Sequence, residues 1–193
     1  QINTEGNYKD GELDGKHTTW YENGQILSET NYKDDKADGK WTYWHKNGQI
    51  KEERNYKDDK ADGKWTYWHK NGQKSEERNY KDNKLVGKTE TDYYENGQKS
   101  EERNFKDGEL DGKDTFKQTV WHENGQINTE GNYKDGELDG KHTSWYENGQ
   151  ILSETNYKDG KLDGKRTLWH ENGQIKKETN YKDGDLVNET IFS

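Results

Sequence analysis

The segment Asp10-Gly-Glu-Leu-Asp14-Gly15 places carboxylates at alternate positions before a glycine, as in the first half of a calcium-binding loop. A complete loop of that kind needs a bidentate carboxylate at its twelfth position, which here is Tyr21. A later copy of the segment replaces the central carboxylate with Lys161. We therefore expect no metal site, and we interpret these aspartates and glycines as turn residues.

Histidines recur at one position of a repeating pattern, which suggests a ladder of metal ligands: His45, His69, His122 and His170. If successive copies are hairpins of one sheet, equivalent side chains lie two strands, or about 9–10 Å, apart. One ion with bonds of about 2 Å cannot bridge that distance. Because Tyr21, Tyr94 and Tyr146 fill the same position in other copies, we predict a half-exposed aromatic role, with no metal and no cofactor.

A glutamate column also invites a catalytic interpretation: Glu5, Glu29, Glu53, Glu77, Glu102, Glu130, Glu154 and Glu178. Catalysis by paired carboxylates requires one asymmetric pocket in which the two groups are tuned differently. Near-equivalent positions instead predict structure, with hydrogen bonds to backbone or indole N–H groups or pairing with Lys and Arg. The sequence also has no nucleophile elbow, phosphate-binding loop or dinucleotide fingerprint. We predict no catalytic residue and no enzyme.

Two copies carry surplus aromatic residues, in the segments Trp41-Thr-Tyr-Trp44 and Trp65-Thr-Tyr-Trp68. Packing between hairpins is the first role expected of such residues. The alternative is an aromatic track for sugars or quaternary ammonium groups, as in choline- and glucan-binding hairpin repeats. Since exposed surplus aromatics favour binding, the predicted ligand-binding residues are Trp41, Tyr43, Trp65 and Tyr67.

The elements that must position these side chains follow from the tripeptide Asn-Gly-Gln, which recurs along the chain. Its glycines are the predicted turn residues: Gly24, Gly48, Gly72, Gly97, Gly125, Gly149 and Gly173. Asn-Gly between two β-prone runs predicts a hairpin with a type I′ turn, because both residues tolerate positive φ. The segment Lys-Asp-Gly-x-Leu-Asp-Gly then predicts a second turn that leads to the next hairpin.

This period predicts an all-β fold: an elongated, single-layer antiparallel meander of about seven stacked β-hairpin repeats with a 24-residue period. We expect a single array over residues 1–193, with a partial first repeat at 1–15 and a capping strand at 186–193. Because Gln1 aligns with Gln25, the chain begins in mid-repeat, and we expect it to be a fragment or processed form of something longer.

Parity along the strands assigns side chains to two sides of the sheet. Tyr21, Ile26 and Tyr32 are expected on one side, and Trp20 and Glu29 on the other.

Three departures from regularity are where we expect any specific recognition. The fourth copy, at Lys88–Tyr93, carries one extra residue and has Tyr93 in place of Trp, which predicts a β-bulge. The copy between Lys113 and Trp121 is four residues longer than its counterparts, which predicts a bulge or an extended loop. The copies with doubled tryptophans are the third departure.

The amino-acid composition limits which classes of partner the chain is expected to bind. The net charge is −9, with Lys and Glu interleaved and no basic block, which argues against nucleic acid and against an anionic membrane as partners. The 37% of charged and 23% of hydrophobic residues are typical of disorder, but aromatics make up 12% and recur in register, which favours an ordered array. The absence of cysteine excludes disulfides and thiolate metal sites.

The segment Tyr146–Gly164 reads Tyr-Glu-Asn-Gly-Gln-Ile-Leu-Ser-Glu-Thr-Asn-Tyr-Lys-Asp-Gly-Lys-Leu-Asp-Gly. It resembles the MORN repeat family, and most closely the bacterial variant often labelled YwqK-type antitoxins. The resemblance covers nearly the whole chain and implies stacked hairpins in a long, twisted, single-layer sheet. Members of the family are mostly scaffolds and binding modules, and eukaryotic relatives have been linked to membranes and phosphoinositides.

These observations lead us to expect a non-enzymatic repeat scaffold that binds a protein partner along one face. That partner is of unknown identity: a cognate toxin, a surface adhesin or a host protein. The alternative is a carbohydrate- or choline-binding cell-surface module that uses the exposed aromatics. End-to-end self-association through edge strands is a further expectation, and a secreted or cell-surface location is slightly favoured over the cytoplasm.

Overall fold

The computed structural model describes residues 3–106 and 115–192. The chain has two compact units, Gln1–Thr89 and Glu90–Ser193. The described residues form eighteen β-strands and no helix, so this part of the chain contains no helix that could cross a bilayer. The predicted all-β class and the antiparallel hairpin meander are confirmed.

The strands pair antiparallel in hairpins, and most of them pair with the strands directly before and after them in sequence. The strands of the first unit are β1 (Thr4–Lys9), β2 (Glu12–Trp20), β3 (Ile26–Lys33), β4 (Lys36–Ala37), β5 (Gly39–Trp44), β6 (Ile50–Lys57), β7 (Lys60–Ala61), β8 (Gly63–Trp68) and β9 (Lys74–Lys81). β10 (Lys84–Tyr93) begins in the first unit and ends in the second. The strands of the second unit are β11 (Lys99–Lys106), β12 (Thr115–Trp121), β13 (Ile127–Lys134), β14 (Glu137–Trp145), β15 (Ile151–Lys158), β16 (Lys161–Trp169), β17 (Ile175–Lys182) and β18 (Asp185–Ile191).

The Asn-Gly turn differs from the predicted type I′ turn. The N–H of Tyr21 donates to the carbonyl of Gln25 at 2.8 Å, and the N–H of Gly24 donates to the carbonyl of Tyr21 at 2.9 Å. Only Gly24 has a positive φ, of 85°, whereas Asn23 does not. This is a three-residue loop in which a type I turn is followed by a left-handed glycine. Asn23 contributes its side chain, because its Oδ1 accepts a hydrogen bond of 3.2 Å from the Gln25 N–H.

The type I′ geometry occurs at the second turn of those repeats whose second turn lies among the described residues. Asp34 and Asp35 have φ values of 47° and 59°, and Lys33 pairs directly with Lys36 across them. A two-residue loop with both φ values positive is what a type I′ turn requires. In the copies that read Asp-Gly, such as residues 135–136, the φ values are 52° and 81°. The first Asp and Gly of the segment thus form the predicted turn, whereas a second pair such as Asp14 and Gly15 lies within a strand.

A bulge beside the tryptophan decides which side chains share a face in six of the Asn-Gly hairpins. In the β2–β3 hairpin Thr19 pairs with Ser28, and the next pair is Trp20 with Ile26, so the register shifts between them. Since directly paired residues point to the same side, Ile26 lies with Trp20. Its predicted place beside Tyr32 was wrong, because strict alternation does not continue through a β-bulge.

We call the side of Tyr32, Thr19 and Ser28 the tyrosine face, and the side of Trp20 and Glu29 the tryptophan face. Small residues are buried at the centre of both faces. The buried polar residues are mostly threonines and serines, and the buried apolar residues among those described are Ala37 and Ala61, which are 6% and 5% exposed. The described residues of neither unit therefore form a core of large aliphatic side chains, and the long side chains on the two faces cover the sheet.

The lengthened copy is a regular strand where it is described. β12 pairs with β11 from Phe116 opposite Phe105 to Val120 opposite Glu101 without a shift. Residues 107–114, where the rest of the predicted loop falls, lie outside the described residues.

β18, which contains most of the predicted cap, pairs with β17 from Asp185 opposite Lys182 to Ile191 opposite Lys177. The single-array organisation, the capping role and end-to-end self-association stay predictions.

Candidate functional site

Strands β5 and β8 bring the four predicted ligand-binding residues to the tyrosine face of the first unit. We call Trp41, Tyr43, Trp65 and Tyr67 the aromatic patch. Within its own hairpin, the cross-strand partner of every patch residue is charged: Arg54 opposite Trp41, Glu52 opposite Tyr43, Arg78 opposite Trp65 and Glu76 opposite Tyr67. All four patch residues are half-buried.

The two tryptophans of the patch belong to a ladder of five rings. The Trp41 indole lies between Tyr32 and Tyr56, with ring centroids 5.2 Å and 4.7 Å away. The Trp65 indole lies between Tyr56 and Tyr80, at 5.3 Å and 4.6 Å. These separations are within the range of favourable aromatic pairs. The ladder therefore gives both indoles the packing role first expected of them.

The polar edge of each indole is also satisfied by the fold. Trp41 Nε1 donates a hydrogen bond of 2.9 Å to the carbonyl of Asn31, and Trp65 Nε1 donates one of 3.0 Å to the carbonyl of Asn55. A half-buried indole fixed by its N–H and by two neighbouring rings has little freedom to reorient. The patch is consequently preorganised.

Space for the tryptophans comes from a small residue four positions earlier. Ala37 precedes Trp41, whereas the first copy has Leu13 before His17. A Cβ built on Gly6 would lie 2.8 Å from His17 Cδ2 and 3.4 Å from Leu13 Cδ2, so the leucine and histidine converge over that glycine. The Ala–Trp and Leu–His pairs are two ways of filling one space on the tyrosine face.

The two tyrosines of the patch face arginines. The guanidinium carbon of Arg54 is 5.4 Å from the ring centroid of Tyr43 and 4.8 Å from that of Trp65. Arg78 stands 5.3 Å from the ring of Tyr67. These are cation–π distances, and they join the two repeats, because Arg54 contacts a ring from each.

Acidic residues complete the arrangement. Glu52, which is only 6% exposed, accepts hydrogen bonds from Arg54 Nη2 at 2.8 Å and from Arg54 Nε at 3.2 Å. Glu76 accepts a hydrogen bond from Arg78 Nε. A buried carboxylate needs such a partner, so each arginine holds its glutamate while stacking on an aromatic ring.

Burial and these contacts shift the titration of the patch. Burial raises the pKa of the Tyr43 and Tyr67 hydroxyls. Burial by itself lowers the pKa of Arg54, but its hydrogen bonds to Tyr56 and Glu52 outweigh that effect, and the pKa is raised. The pKa of Arg78 is raised in the same way, against burial, by Glu76 and Tyr80. The patch thus presents neutral tyrosines and permanently charged arginines at physiological pH.

The glutamate column lies on the tryptophan face and pairs with lysines, so the predicted pairing is confirmed for these positions. The pairs are Lys16–Glu29, Lys40–Glu53, Lys64–Glu77, Lys117–Glu130, Lys141–Glu154 and Lys165–Glu178. Each of these pairs joins the two strands of one Asn-Gly hairpin, which is the geometry of a repeated structural contact.

The histidine and tyrosine column bonds successive hairpins together. Tyr21 donates its hydroxyl hydrogen to the carbonyl of Trp44 at 2.6 Å, and His45 Nε2 lies 3.3 Å from the carbonyl of Trp68. The same contact recurs in the second unit: Tyr94 with Trp121, His122 with Trp145 and Tyr146 with Trp169. Within the described ranges no three His, Asp or Glu side chains are placed to hold a metal ion. The half-exposed aromatic role is confirmed for Tyr21, His45 and His122, whereas His69 and His170 are exposed.

The arginines and glutamates of the patch were not predicted from the sequence. Their signal was present, since residues 52–54 and 76–78 read Glu-Glu-Arg where the corresponding residues 28–30 and 153–155 read Ser-Glu-Thr. Which rings the arginines contact depends on the register between successive hairpins, which the sequence does not show.

A comparison with known families accounts for the repeat. A family model described as a MORN repeat variant matches seven segments: 13–34, 37–58, 61–82, 88–107, 108–135, 138–159 and 162–183. Together the segments cover most of the chain. No curated protein matches it.

Proposed function

Because this chain belongs to the MORN repeat variant family, we propose that it is a non-enzymatic repeat scaffold that binds a protein partner through its aromatic patch. MORN repeats are generally modules for protein or membrane interaction. The observation that carries the proposal is the stack of Arg54 on the rings of Tyr43 and Trp65. It gathers on one face the residue types that dominate binding energy at protein interfaces.

The patch is a local departure from the repeat. The position of Tyr43 and Tyr67 holds Thr19 in the first copy and Ser144 and Leu168 in later ones. Small polar contacts suffice where the residue is Thr or Ser, since the hydroxyls of Thr19 and Ser28, and those of Ser144 and Ser153, lie 2.6 Å apart. Stability of the hairpin therefore does not require tyrosine at this position, which supports a role in recognition.

Charge favours a protein over a membrane surface as the partner. The net charge of the chain is −9, and the arginines of the patch already hold Glu52 and Glu76. An anionic bilayer would be repelled by the chain as a whole and would find no unpaired arginine in the patch. A protein partner can instead use the exposed edges of the rings and the alternating charges.

The contacts of the patch also favour a protein over sugars or choline. Trp41 packs between two tyrosine rings, and the face of Trp65 carries Arg54. A quaternary ammonium group would have to displace that guanidinium, and a sugar ring would meet rings that are already paired.

Affinity capture with matched variants tests the proposal. The full chain and its Tyr43→Thr/Tyr67→Thr variant are immobilised, and any captured protein is purified and its dissociation constant measured. Threonine is native at the equivalent residue 19, so the variant keeps the fold. We expect its affinity to fall by at least about 30-fold, the size of one interface hot spot. The control Leu168→Thr changes the same position in the second unit and should leave the affinity unchanged.

If the parental chain and the double variant bind the captured protein with equal affinity, the patch is not part of the interface. Quenching of tryptophan fluorescence by choline or glycans, lost in the double variant, would favour the carbohydrate- or choline-binding alternative. The sequence of the captured protein distinguishes a cognate toxin, a surface adhesin and a host protein.

A further inference from the structure

Three lysines converge at the hairpin tips of the first unit. Lys46, Lys51 and Lys70 line a cavity of ≈ 480 Å³ together with Tyr21, His45 and Asn47. We call this cavity the tip groove. It is built from the first three Asn-Gly turns and lies outside the aromatic patch.

The charge at the groove is the reverse of that in the rest of the repeat. Lys46 and Lys70 stand at the tip position that holds glutamate in the other five copies: Glu22, Glu95, Glu123, Glu147 and Glu171. In a chain of net charge −9, two adjacent tips have become basic, and Lys51 adds a third cation between them. A positive concavity in a negative molecule is a local site for an anion.

The three ammonium groups have no carboxylate partner among the residues that the structure describes, whereas the lysines of the tryptophan face are paired, as Lys40 is with Glu53 at 2.5 Å. The Lys46 ammonium lies instead 5.8 Å from the centroid of the Tyr21 ring. Lys46, Lys51 and Lys70 are all exposed. Their charge is available to a ligand.

The walls of the groove are fixed by hydrogen bonds between tips. Asn47 Nδ2 donates a hydrogen bond of 2.9 Å to the carbonyl of Lys70, and this bond joins the second and third tips. The Tyr21 hydroxyl donates to the carbonyl of Trp44, and His45 bonds to that of Trp68. A ligand would not have to order this backbone, and preorganisation lowers the cost of binding.

We propose that the tip groove binds a carboxylate-rich segment, a short run of Asp or Glu, of a protein partner. This inference rests on the proposed function, because it takes the ligand of the groove to be part of a protein partner. Three unpaired lysines match a few consecutive carboxylates. A long polyanion or a flat anionic surface would extend past the groove onto glutamate tips and be repelled.

A labelled peptide of eight glutamates tests the proposal by fluorescence anisotropy with the full chain. Binding is expected at low salt and should weaken as salt rises. Lys46→Glu/Lys70→Glu installs the residue that the other five tips carry, so the fold is kept, and we expect at least tenfold weaker binding. Thermal unfolding of the variant verifies that it is folded.

The control Lys33→Glu/Lys158→Glu makes the same change in net charge away from the groove. It places a glutamate opposite Lys36 and another opposite Lys161, where opposite charges are favourable. This control should bind the peptide like the parental chain. If both double variants lose binding equally, the groove is not a site and only net charge matters.

Two further probes separate the ligand classes. Inorganic phosphate that displaces the peptide at micromolar concentration, or phosphatidylserine vesicles that bind with the same dependence on Lys46 and Lys70, would overturn the carboxylate proposal. The tip variant leaves the aromatic patch intact. If binding of a captured protein depends on Tyr43 and Tyr67 but not on Lys46 and Lys70, the proposal for the tip groove is overturned and the proposed function is not.

Discussion

Asp59 and Ala37, which are 22 residues apart, are joined by two hydrogen bonds. The Ala37 N–H donates to Asp59 Oδ1 at 2.7 Å, and the Asp59 N–H donates to the Ala37 carbonyl at 3.0 Å. The neighbouring turns repeat this contact: Asp35 with Leu13 and Asn83 with Ala61. At the Asp-Gly turns the glycine contributes only its backbone bond, as from the Gly160 N–H to the Leu138 carbonyl, and the side-chain bond between repeats comes instead from the Asp159 N–H to Asp139 Oδ2 at 3.3 Å. An Asp or Asn in place of the turn glycine thus adds a bond from its own side chain to the preceding repeat.

Asp59→Gly should loosen this contact without straining the turn, because glycine tolerates the φ of 63° found there. Losing one hydrogen bond worth about 1 kcal/mol should make amide hydrogen exchange at Ala37 about fivefold faster. Asp59→Asn keeps the acceptor, as Asn83 does at the next turn, and should exchange like the parental chain. Unchanged protection in Asp59→Gly would mean that the side-chain bond contributes nothing.

Ala37→Leu should overpack the tyrosine face beside Trp41. The expected loss is about 1–3 kcal/mol in the free energy of unfolding, measured by urea denaturation. Adding Trp41→His and Thr30→Gly should recover most of that loss, because the triple variant recreates the set Gly6, Leu13 and His17. If the triple variant is less stable than Ala37→Leu alone, the two arrangements are not interchangeable.

His142 should make stability depend on pH. Burial lowers its pKa below the ordinary value of 6.5, so the folded state favours the neutral ring and the unfolded state binds the proton more readily. Its contribution is therefore present above pH 6.5 and is lost as the pH falls from there toward the lower folded pKa. The midpoint temperature of thermal unfolding should therefore be lower at pH 5 than at pH 7.5.

The matched variant for this prediction is His142→Gln, which cannot titrate. It should show a smaller fall over the same range, and an identical slope in both proteins would assign the pH dependence to other groups.

Tyr146→Phe should remove the 2.9 Å hydrogen bond to the carbonyl of Trp169. The expected cost is about 1 kcal/mol in the free energy of unfolding. Tyr146→His should restore part of it, since His122 makes the equivalent contact with Trp145 at 3.1 Å. A histidine variant no better than phenylalanine would show that the ring, and not its polar atom, joins the hairpins.

The periodic residues predicted the hairpins well, because Asn-Gly and Lys-Asp-Gly restrict the backbone locally. Details set by hydrogen bonding were missed. Asn-Gly fits both a type I′ turn and a three-residue loop, and only the bond from Gly24 to Tyr21 decides between them. Ile26 was placed on the wrong face because no characteristic residue in the sequence marks the position of the bulge. Arg54 was missed because its rings come from two different repeats.

The hydrogen bonds between tips and turns have a genetic consequence. Within each unit a bond such as Asn47 to Lys70 or Asp59 to Ala37 joins positions one repeat apart. Loss or duplication of 24 codons would join equivalent positions again, so the new junction could form the same bonds as the old one. The gene can therefore change its number of repeats in single recombination steps, with each intermediate still able to fold.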